Sequence, residues 1–198
     1  MTALLLIDVQ PDFMPGGALP VPGGDEILPL LNRLQADYAL VVATQDWHPA
    51  GHASFASSHA GQVPFGEIPW QGQPQTLWPD HCLQDSAGAA LHPALATRRI
   101  EAIFRKGTHP ELDSYSAFFD NHHRKSTGLA AYLRGRGVTG VHLAGLAADY
   151  CVYFSALDAL DEGFTVSVLA QATRPISADG WAKAQAVLRE RGADLAAG

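Results

Sequence analysis

Short apolar runs alternate in this chain with segments of helical periodicity, and this alternation restricts the fold more than any other feature. The apolar runs cover residues 3–7, 38–44, 100–105, 138–144 and 164–169. Runs of this length are typical of strands that are buried on both faces. Strands that alternate with helices predict an α/β fold, in which one parallel sheet is covered by helices on both faces in a Rossmann-like arrangement.

Four segments between or after these runs predict helices. Residues 27–34 carry isoleucine and leucine at helical spacing, and Asp25 is expected to cap that helix. Residues 129–133, 149–160 and 178–189 have the same periodicity. A chain of 198 residues suits one compact domain, so we predict a single domain over residues 1–198.

Composition excludes several classes of function. The formal net charge is -7 and the chain has no basic run, which argues against nucleic acid or an anionic membrane as a partner. Two cysteines are too few for a disulfide-stapled secreted scaffold. The first residues resemble neither a signal peptide nor a transmembrane segment, so a cytoplasmic enzyme is expected.

Residues 46–92 differ from the rest of the chain. They are rich in proline, glycine, histidine and tryptophan and have little periodicity. A long irregular segment inside a compact domain is usually functional. We therefore interpret residues 46–92 as an excursion that helps to form a site.

Reactive side chains follow the ends of the predicted strands. Asp8 follows the first strand, Asp46 and His48 follow the second, Lys106 follows the third, and Cys151 lies just beyond the fourth. Ligands bind parallel sheets at the carboxyl ends of the strands, so these side chains are expected to converge on one crevice.

Cys151 has the features of a nucleophile. A thiol in the first turn of a helix is stabilised as thiolate by the helix dipole, and the free N–H groups of that turn can bind an oxyanion. The alternative is a small cysteine buried in the core. Asp8 and Lys106 are a candidate base and cation beside the thiol, although Asp8 could instead cap a turn and Lys106 could be a solvated surface residue.

A second group of side chains predicts a metal site. Asp46 and His48 lie two positions apart and point the same way on an extended segment, and His81 follows later in the excursion. One carboxylate and two imidazoles leave coordination positions open and suit one divalent ion, with Zn favoured over Mn or Fe. His52 is either a fourth ligand or a hydrogen-bonded loop residue.

The remaining histidines and the second cysteine of this region have simpler interpretations. His59 and His92 are interpreted as loop residues without a role in the site. Cys82 adjoins His81 but points the other way on an extended chain, so we interpret it as buried.

At this level of detail the chain resembles the nicotinamidase, or pyrazinamidase, branch of the isochorismatase-like cysteine hydrolases. The resemblance extends over nearly the whole length. Six pieces in order carry it: Leu6-Ile7-Asp8-Val9-Gln10 with Asp12-Phe13, Thr44-Gln45-Asp46-Trp47-His48-Pro49, Trp78-Pro79-Asp80-His81-Cys82, Arg105-Lys106-Gly107, Asp113-Ser114-Tyr115-Ser116-Ala117-Phe118, and Gly145-Leu146-Ala147-Ala148-Asp149-Tyr150-Cys151-Val152.

The resemblance implies a role for each of these site residues. The catalytic triad would be Asp8, Lys106 and Cys151, and the metal ligands would be Asp46, His48 and His81. The residues that contact substrate would be Phe13 and Trp70 as ring-stacking walls, Tyr115, and Ala147, whose N–H would form the oxyanion hole together with that of Cys151. A cis peptide bond is expected between Leu146 and Ala147.

The resemblance also implies an activity. The chain would be an amidohydrolase that converts nicotinamide to nicotinic acid and ammonia through a cysteine thioester, with the metal orienting the pyridine nitrogen, in NAD salvage. A homo-oligomer is compatible with this expectation. The alternatives are another amidase of the superfamily, a metal-hydroxide amidohydrolase in which Cys151 is structural, and an inactive module that binds metal or nicotinamide.

Overall fold

A computed structural model describes residues 1–196 of the chain, so the last two positions of the predicted domain lie outside the described residues. The strands are β1 Thr2–Ile7, β2 Val41–Asp46, β3 Glu67–Trp70, β4 Gln73–Thr76, β5 Ile100–Lys106, β6 Gly140–Leu146, β7 Thr165–Arg174 and β8 Asp194–Ala196. The helices are α1 Leu28–Leu34, α2 Leu129–Gly135, α3 Tyr153–Asp161 and α4 Ala178–Glu190. Shorter 3-10 turns cover Pro11–Phe13, Gly24–Ile27, Gln35–Asp37 and Ala56–Ser58, and a π-helical turn covers Ala148–Val152.

Six strands form one parallel sheet in the order β5-β2-β1-β6-β7-β8, as the alternating pattern predicts. The register pairs β1 with β6 from Thr2 opposite Gly140 to Ile7 opposite Gly145. The carboxyl ends of β5, β2, β1 and β6 therefore lie side by side at one edge of the sheet.

Each face of the sheet has its own hydrophobic core. In strand β1, which is buried from residue 3 to residue 7, Leu5 and Ile7 pack with Leu133 of α2 on one face, whereas Leu4 and Leu6 pack with α1 on the other. Burying one such side chain contributes about 1.5–3 kcal/mol, which explains why residues 3–7 are all apolar. The prediction of helices on both faces is confirmed.

Several element boundaries differ from the sequence prediction. Strand β2 begins at Val41 instead of residue 38, and β6 runs from Gly140 to Leu146 instead of over residues 138–144. Asp25 does not cap α1, because it lies inside a 3-10 turn and the N-cap residue Ile27 has no side-chain hydrogen bond. The last parallel strand, β8, was not predicted.

The irregular excursion leaves the sheet after β2 and returns at β5. It contains an antiparallel hairpin, β3 paired with β4, that the periodicity does not predict. The hairpin is mostly exposed, so its sequence lacks the continuous apolar pattern of the central strands. Within residues 1–196, no helix is long and apolar enough to cross a membrane.

Candidate active site

The side chains expected at the strand ends meet at the carboxyl edge of the sheet. Asp8 directly follows β1, Asp46 is the last residue of β2, Lys106 is the last residue of β5, and Cys151 lies in the π-helical turn after β6. These four strands are neighbours in the sheet, so residues far apart in sequence occupy one buried cluster.

Lys106 lies at the centre of this cluster. Its Nζ is 2.8 Å from Asp8 Oδ2, 3.2 Å from Asp46 Oδ1 and 3.5 Å from Cys151 Sγ, and it donates to the Ser114 carbonyl at 2.9 Å. The side chain is fully buried, which an unpaired lysine would not tolerate. Lys106 is therefore not a solvated surface residue. It contacts the Asp8 carboxylate, the Cys151 thiol and Asp46 of the predicted metal site.

The charges in the cluster depend on one another. Burial opposes the charge of Lys106, but the carboxylates of Asp46 and Asp8 raise its pKa well above the usual value. Burial raises the pKa of Asp8, while Lys106 lowers it and Thr44, which donates to Oδ1 at 2.6 Å, acts in the same direction. A buried carboxylate with a raised pKa is suited to take and return a proton.

The thiol differs from the sequence expectation. Burial raises the pKa of Cys151 well above the usual value, Lys106 lowers it, and Asp8 raises it through its charge and a hydrogen bond. The expected helix start is a π-helical turn over Ala148–Val152. Lys106 is the neighbour that opposes burial and favours the thiolate form of Cys151.

The turn that carries Cys151 begins after a cis peptide bond and is held by the side chain of Asp149. Ala147 follows a cis peptide bond with Leu146, as predicted, and its N–H donates to no acceptor within residues 1–196. Asp149 accepts hydrogen bonds from the N–H groups of Ile176 and Ser177, both at 2.9 Å. The unpaired Ala147 N–H is available to an oxyanion, and Asp149 holds the turn against the β7–α4 loop.

Asp46, His48 and His81 come together as predicted. Asp46 Oδ2 is 3.0 Å from His48 Nε2 and 3.3 Å from His81 Nε2, and all three side chains are buried. The Nδ1 atoms face away, toward the carbonyl of Gly107 at 3.0 Å for His48 and of Pro79 at 2.8 Å for His81. A backbone carbonyl that accepts from Nδ1–H leaves the Nε2 lone pair free to bind a metal.

This donor set fits a divalent metal ion. The donor atoms of the three residues lie within 4.8 Å of one another. Burial opposes the charge of Asp46, but His48 and Lys106 hold its pKa well below the usual value, which keeps the carboxylate anionic. One carboxylate and two imidazoles with open positions resemble metal sites that bind a further ligand rather than closed structural sites.

His52 lies behind His48 and is outside this donor set. Its ring centroid is 4.3 Å from that of His48, its Nδ1 lies 2.7 Å from Ser54 Oγ, and its Nε2 lies 3.3 Å from the Leu112 carbonyl. Of the two interpretations, the structure favours the hydrogen-bonded loop residue. A second group of possible ligands, His48, His52 and Asp113, shares His48 with the first.

The remaining residues singled out in the excursion have structural contacts. His59 Nε2 bonds the Ala53 carbonyl, His92 Nδ1 accepts from the Ala94 N–H, and Cys82 is fully buried. These positions agree with their interpretation as loop or core residues.

Gln10 was missed as a site residue. Its side-chain amide donates to the Asp46 carbonyl at 2.8 Å and accepts from the Asp46 N–H at 2.8 Å, and it also donates to the Ala89 carbonyl. A fully buried glutamine two residues after Asp8 therefore fixes the backbone of Asp46, a predicted metal ligand. The signal was a long polar side chain three residues after the apolar run of residues 3–7.

A narrow cavity opens between the thiol and the metal ligands. Phe13, Tyr115, Ala147 and Cys151 line it as predicted. The full lining is Phe13, Leu19, Asp46, Trp78, His81, Asp113, Tyr115, Ala147, Tyr150, Cys151 and Ile176.

Trp70 is not among the lining residues. Its indole Nε1 donates to the Glu111 carbonyl at 2.9 Å, and its ring lies edge-on to His59. These contacts hold the Trp70 side chain against the residues that pack beside the β3–β4 hairpin. Trp78 provides the cavity's indole instead, with ring centroids 4.9 Å from Tyr150 and 6.1 Å from Tyr115. Trp78 also donates to the Tyr115 hydroxyl at 3.2 Å.

Comparison with known proteins gives a consistent result. The nicotinamidase of Escherichia coli strain K12 is 50% identical over 179 residues, covering 88% of this chain and 84% of that protein. The structure of an Acinetobacter baumanii nicotinamidase and pyrazinamidase superposes with a TM-score of 0.95 at 42% identity, covering 98% of this chain and 94% of the other. A pyrazinamidase of Pyrococcus horikoshii in complex with zinc has a TM-score of 0.82 at 38% identity, covering 98% of both chains.

The family profile agrees with these relatives. The isochorismatase domain profile matches residues 2–197, which is nearly the entire chain. The match includes the four strand ends that supply the site and the excursion that supplies His81. The chain belongs to the isochorismatase family.

Proposed function

We propose that this chain is a nicotinamidase, an amidohydrolase that converts nicotinamide to nicotinic acid and ammonia with Cys151 as nucleophile. The observation that carries the proposal is the position of Lys106 between the proposed nucleophile and the proposed metal ligands. Its Nζ lies 3.5 Å from Cys151 Sγ and 3.2 Å from Asp46 Oδ1, and all three residues are buried. Cys151 and two of the proposed metal ligands, Asp46 and His81, line one cavity. That arrangement suits a substrate with a carboxamide group and a ring nitrogen.

The first half-reaction forms a thioester. Asp8 accepts the thiol proton, and Cys151 Sγ attacks the carboxamide carbon while Lys106 balances the charge on both groups. The N–H groups of Ala147 and Cys151 stabilise the oxyanion of the tetrahedral intermediate. Asp8 then donates its proton to the departing nitrogen, the C–N bond breaks and ammonia leaves.

The second half-reaction restores the enzyme. Asp8 takes a proton from a water molecule, the water oxygen attacks the thioester carbon, and the same N–H groups stabilise the new oxyanion. The C–S bond then breaks, nicotinic acid is released, and Asp8 returns the proton to Sγ. Burial raises the pKa of Asp8 and Lys106 lowers it, so this carboxyl group can take up and release a proton in both half-reactions.

Asp46, His48 and His81 would hold one divalent ion, and we propose zinc, the metal in the Pyrococcus horikoshii relative. When bound, the ion would supply a Lewis acid that fixes the pyridine nitrogen of the substrate. The chain's own contribution is orientation: Phe13, Trp78 and Tyr115 border the space for the ring.

The proposal extends to the setting of the reaction. Both cysteines are free and buried, which suits a reducing compartment, so we place the enzyme in the cytoplasm. Hydrolysis of nicotinamide there would return its ring to NAD synthesis.

Substrate comparison tests the assigned substrate. Benzamide differs from nicotinamide essentially in the ring nitrogen, so the aromatic walls would still accept its ring. A site built for a polar contact rejects an analogue that lacks the contact by about 10⁴-fold. We expect efficient ammonia release from nicotinamide, appreciable release from pyrazinamide and poor release from benzamide.

The same assay with and without metal completes the test. Chelation should lower kcat/KM for nicotinamide toward the value for benzamide, and added zinc should restore it. The Cys151→Ala variant is the control, because it should retain the metal ligands and release no ammonia from either amide. Equal kcat/KM values for benzamide and nicotinamide in the metal-loaded enzyme would refute recognition through the ring nitrogen.

A further inference from the structure

The strand ends that supply the site residues also bring two other side chains together on their opposite side. Asp46 pairs in register with Lys106, and the N–H of Trp47 continues the pairing by donating to the Lys106 carbonyl at 2.9 Å. Successive side chains of a strand point in opposite directions. Because Asp46 and His48 face the buried cluster, the intervening Trp47 faces away from it, and Arg105 does the same beside Lys106.

Arg105 lies on the indole of Trp47. Its guanidinium carbon is 3.7 Å from the centroid of the ring. Trp47 is 9% exposed and Arg105 is an exposed residue, so the guanidinium lies on the solvent side of the ring. Four other arginines pair with a carboxylate, whereas Arg105 has neither an ion pair nor a side-chain hydrogen bond within residues 1–196. The indole is therefore the partner that fixes the position of this guanidinium.

Strand β5 is an edge strand and is held by a neighbouring strand on one side only. It pairs with β2, and the register is interrupted between Val41 and Val42 of that strand. Lys106 is the last residue of β5, and its Nζ lies 3.2 Å from Asp46 Oδ1 and 3.5 Å from Cys151 Sγ. A contact between the residue before Lys106 and the residue after Asp46 restrains both strand ends at the point where these distances are set.

The chemistry of the two side chains suits this role. A guanidinium is attracted by the face of an indole, and its planar shape stacks on the ring. Lysine carries the same charge but does not stack in this way. We propose that Arg105 is a positioning residue: stacked on Trp47, it holds the ends of β2 and β5 together and so keeps Lys106 in place beside Asp46. This role rests on the proposed function, in which Asp46 binds the metal and Lys106 belongs to the catalytic triad.

Substitutions of Arg105 separate stacking from charge. Arg105→Gln removes both, and Arg105→Lys keeps the charge alone. Both variants should bind zinc about tenfold more weakly than the parent in competition with a chromogenic chelator, the usual effect of losing the support of a metal ligand. With zinc at saturation, kcat for nicotinamide should still be about tenfold lower and KM little changed, because a displaced Lys106 affects the chemical step after the metal has been restored.

Arg134→Gln is the matched control. Arg134 also lies over an aromatic ring, with its guanidinium carbon 5.5 Å from the centroid of Phe164, but it belongs to α2 and pairs with Glu162. Zinc affinity and kcat of this variant should equal those of the parent. The visible absorption of the cobalt-substituted protein reports how the metal ligands are arranged, so it should change in Arg105→Gln and not in Arg134→Gln.

Variants of Trp47 test the partner. Trp47→Phe keeps an aromatic face and should bind zinc within about threefold of the parent. Trp47→Leu removes that face, and adding Arg105→Gln to it should cost little more zinc affinity, because two residues in contact are not additive. The Arg105 variants change an exposed side chain, so they decide the question if Trp47→Leu does not fold.

Two results would overturn the proposal. One is a zinc affinity and a kcat of Arg105→Gln that match those of the parent. The other is a parent-like Arg105→Lys beside an impaired Arg105→Gln, which would show that the charge matters and the stacking does not. A parent protein that binds zinc but releases no ammonia from nicotinamide would refute the proposed substrate instead, and zinc affinity and the cobalt spectrum would still test the role of Arg105.

Discussion

Replacement of Gly107 by alanine tests how the backbone supports the metal ligands. Gly107 has a φ of +64°, and its carbonyl bonds His48 Nδ1. A Cβ atom at this position would lie 2.4 Å from His48 Cε1, 2.7 Å from His48 Nδ1 and 3.0 Å from Asp46 Oδ1. The glycine therefore gives the imidazole both its space and its hydrogen-bond acceptor.

The size of the effect follows from these distances. Carbon atoms in contact prefer about 3.5–4.0 Å, so the His48 ring must move by about 1 Å or the backbone must yield. Disturbing a hydrogen bond that orients a metal ligand typically lowers metal affinity by about 10–100-fold. The left-handed backbone adds a further cost of about 1–2 kcal/mol in the free energy of folding.

Gly137→Ala is the matched control. Gly137 has a φ of +71°, close to that of Gly107, but a Cβ there would meet no atom within 4 Å. Both variants should therefore lose a similar amount of stability from the backbone. Only Gly107→Ala should also lose zinc affinity, measured by competition with a chromogenic chelator, and nicotinamide turnover. If Gly107→Ala bound zinc within about threefold of the parent, well short of the expected loss, the glycine would not be supporting the metal ligand.

Four further single variants and one double variant test the rest of the site. Cys151→Ala should lose almost all ammonia release yet bind zinc as the parent does; near-normal turnover would favour the metal-hydroxide alternative. Asp8→Asn and Lys106→Ala should each abolish turnover, and the double variant should be little worse, because the pair acts as one unit; single losses under about tenfold, or 1.4 kcal/mol, would contradict the roles. Gln10→Leu should lower the free energy of unfolding by about 2 kcal/mol or more, since it leaves the buried Asp46 N–H and carbonyl unpaired; an unchanged urea midpoint would show that other groups satisfy them.

The site residues could be predicted where a reactive side chain directly follows a buried strand. Asp8 follows five apolar residues, and the parallel order then determines which strand ends are adjacent. Trp70 and Trp78 show the limit of this reasoning. Both lie in the irregular excursion, where side-chain direction depends on tertiary contacts such as the Trp70 bond to Glu111 and not on a period of two.

The direction of the pKa shift of Cys151 also could not be predicted from the sequence. A helix start predicts a lowered thiol pKa, but the burial of Cys151 and the distance to Lys106 are known only once the sheet is assembled. The role of Gln10 is similar, since its partner Asp46 is 36 positions away. The sequence indicates which groups are reactive, and the packing determines their protonation and their support.

The order of the strands has a consequence for how this enzyme is made. The proposed nucleophile, Cys151, lies 45 positions beyond Lys106, which in turn contacts the proposed base, Asp8, directly after the first strand. Non-local contacts of this kind form late, because the chain must close long loops before they contribute stability. A nascent chain released before residue 151 has a base and a cation but no nucleophile. Under the proposed mechanism, activity is therefore expected only once β6 and the turn that carries Cys151 have joined β1, β2 and β5, and a chain that ends before Cys151 should not hydrolyse substrate.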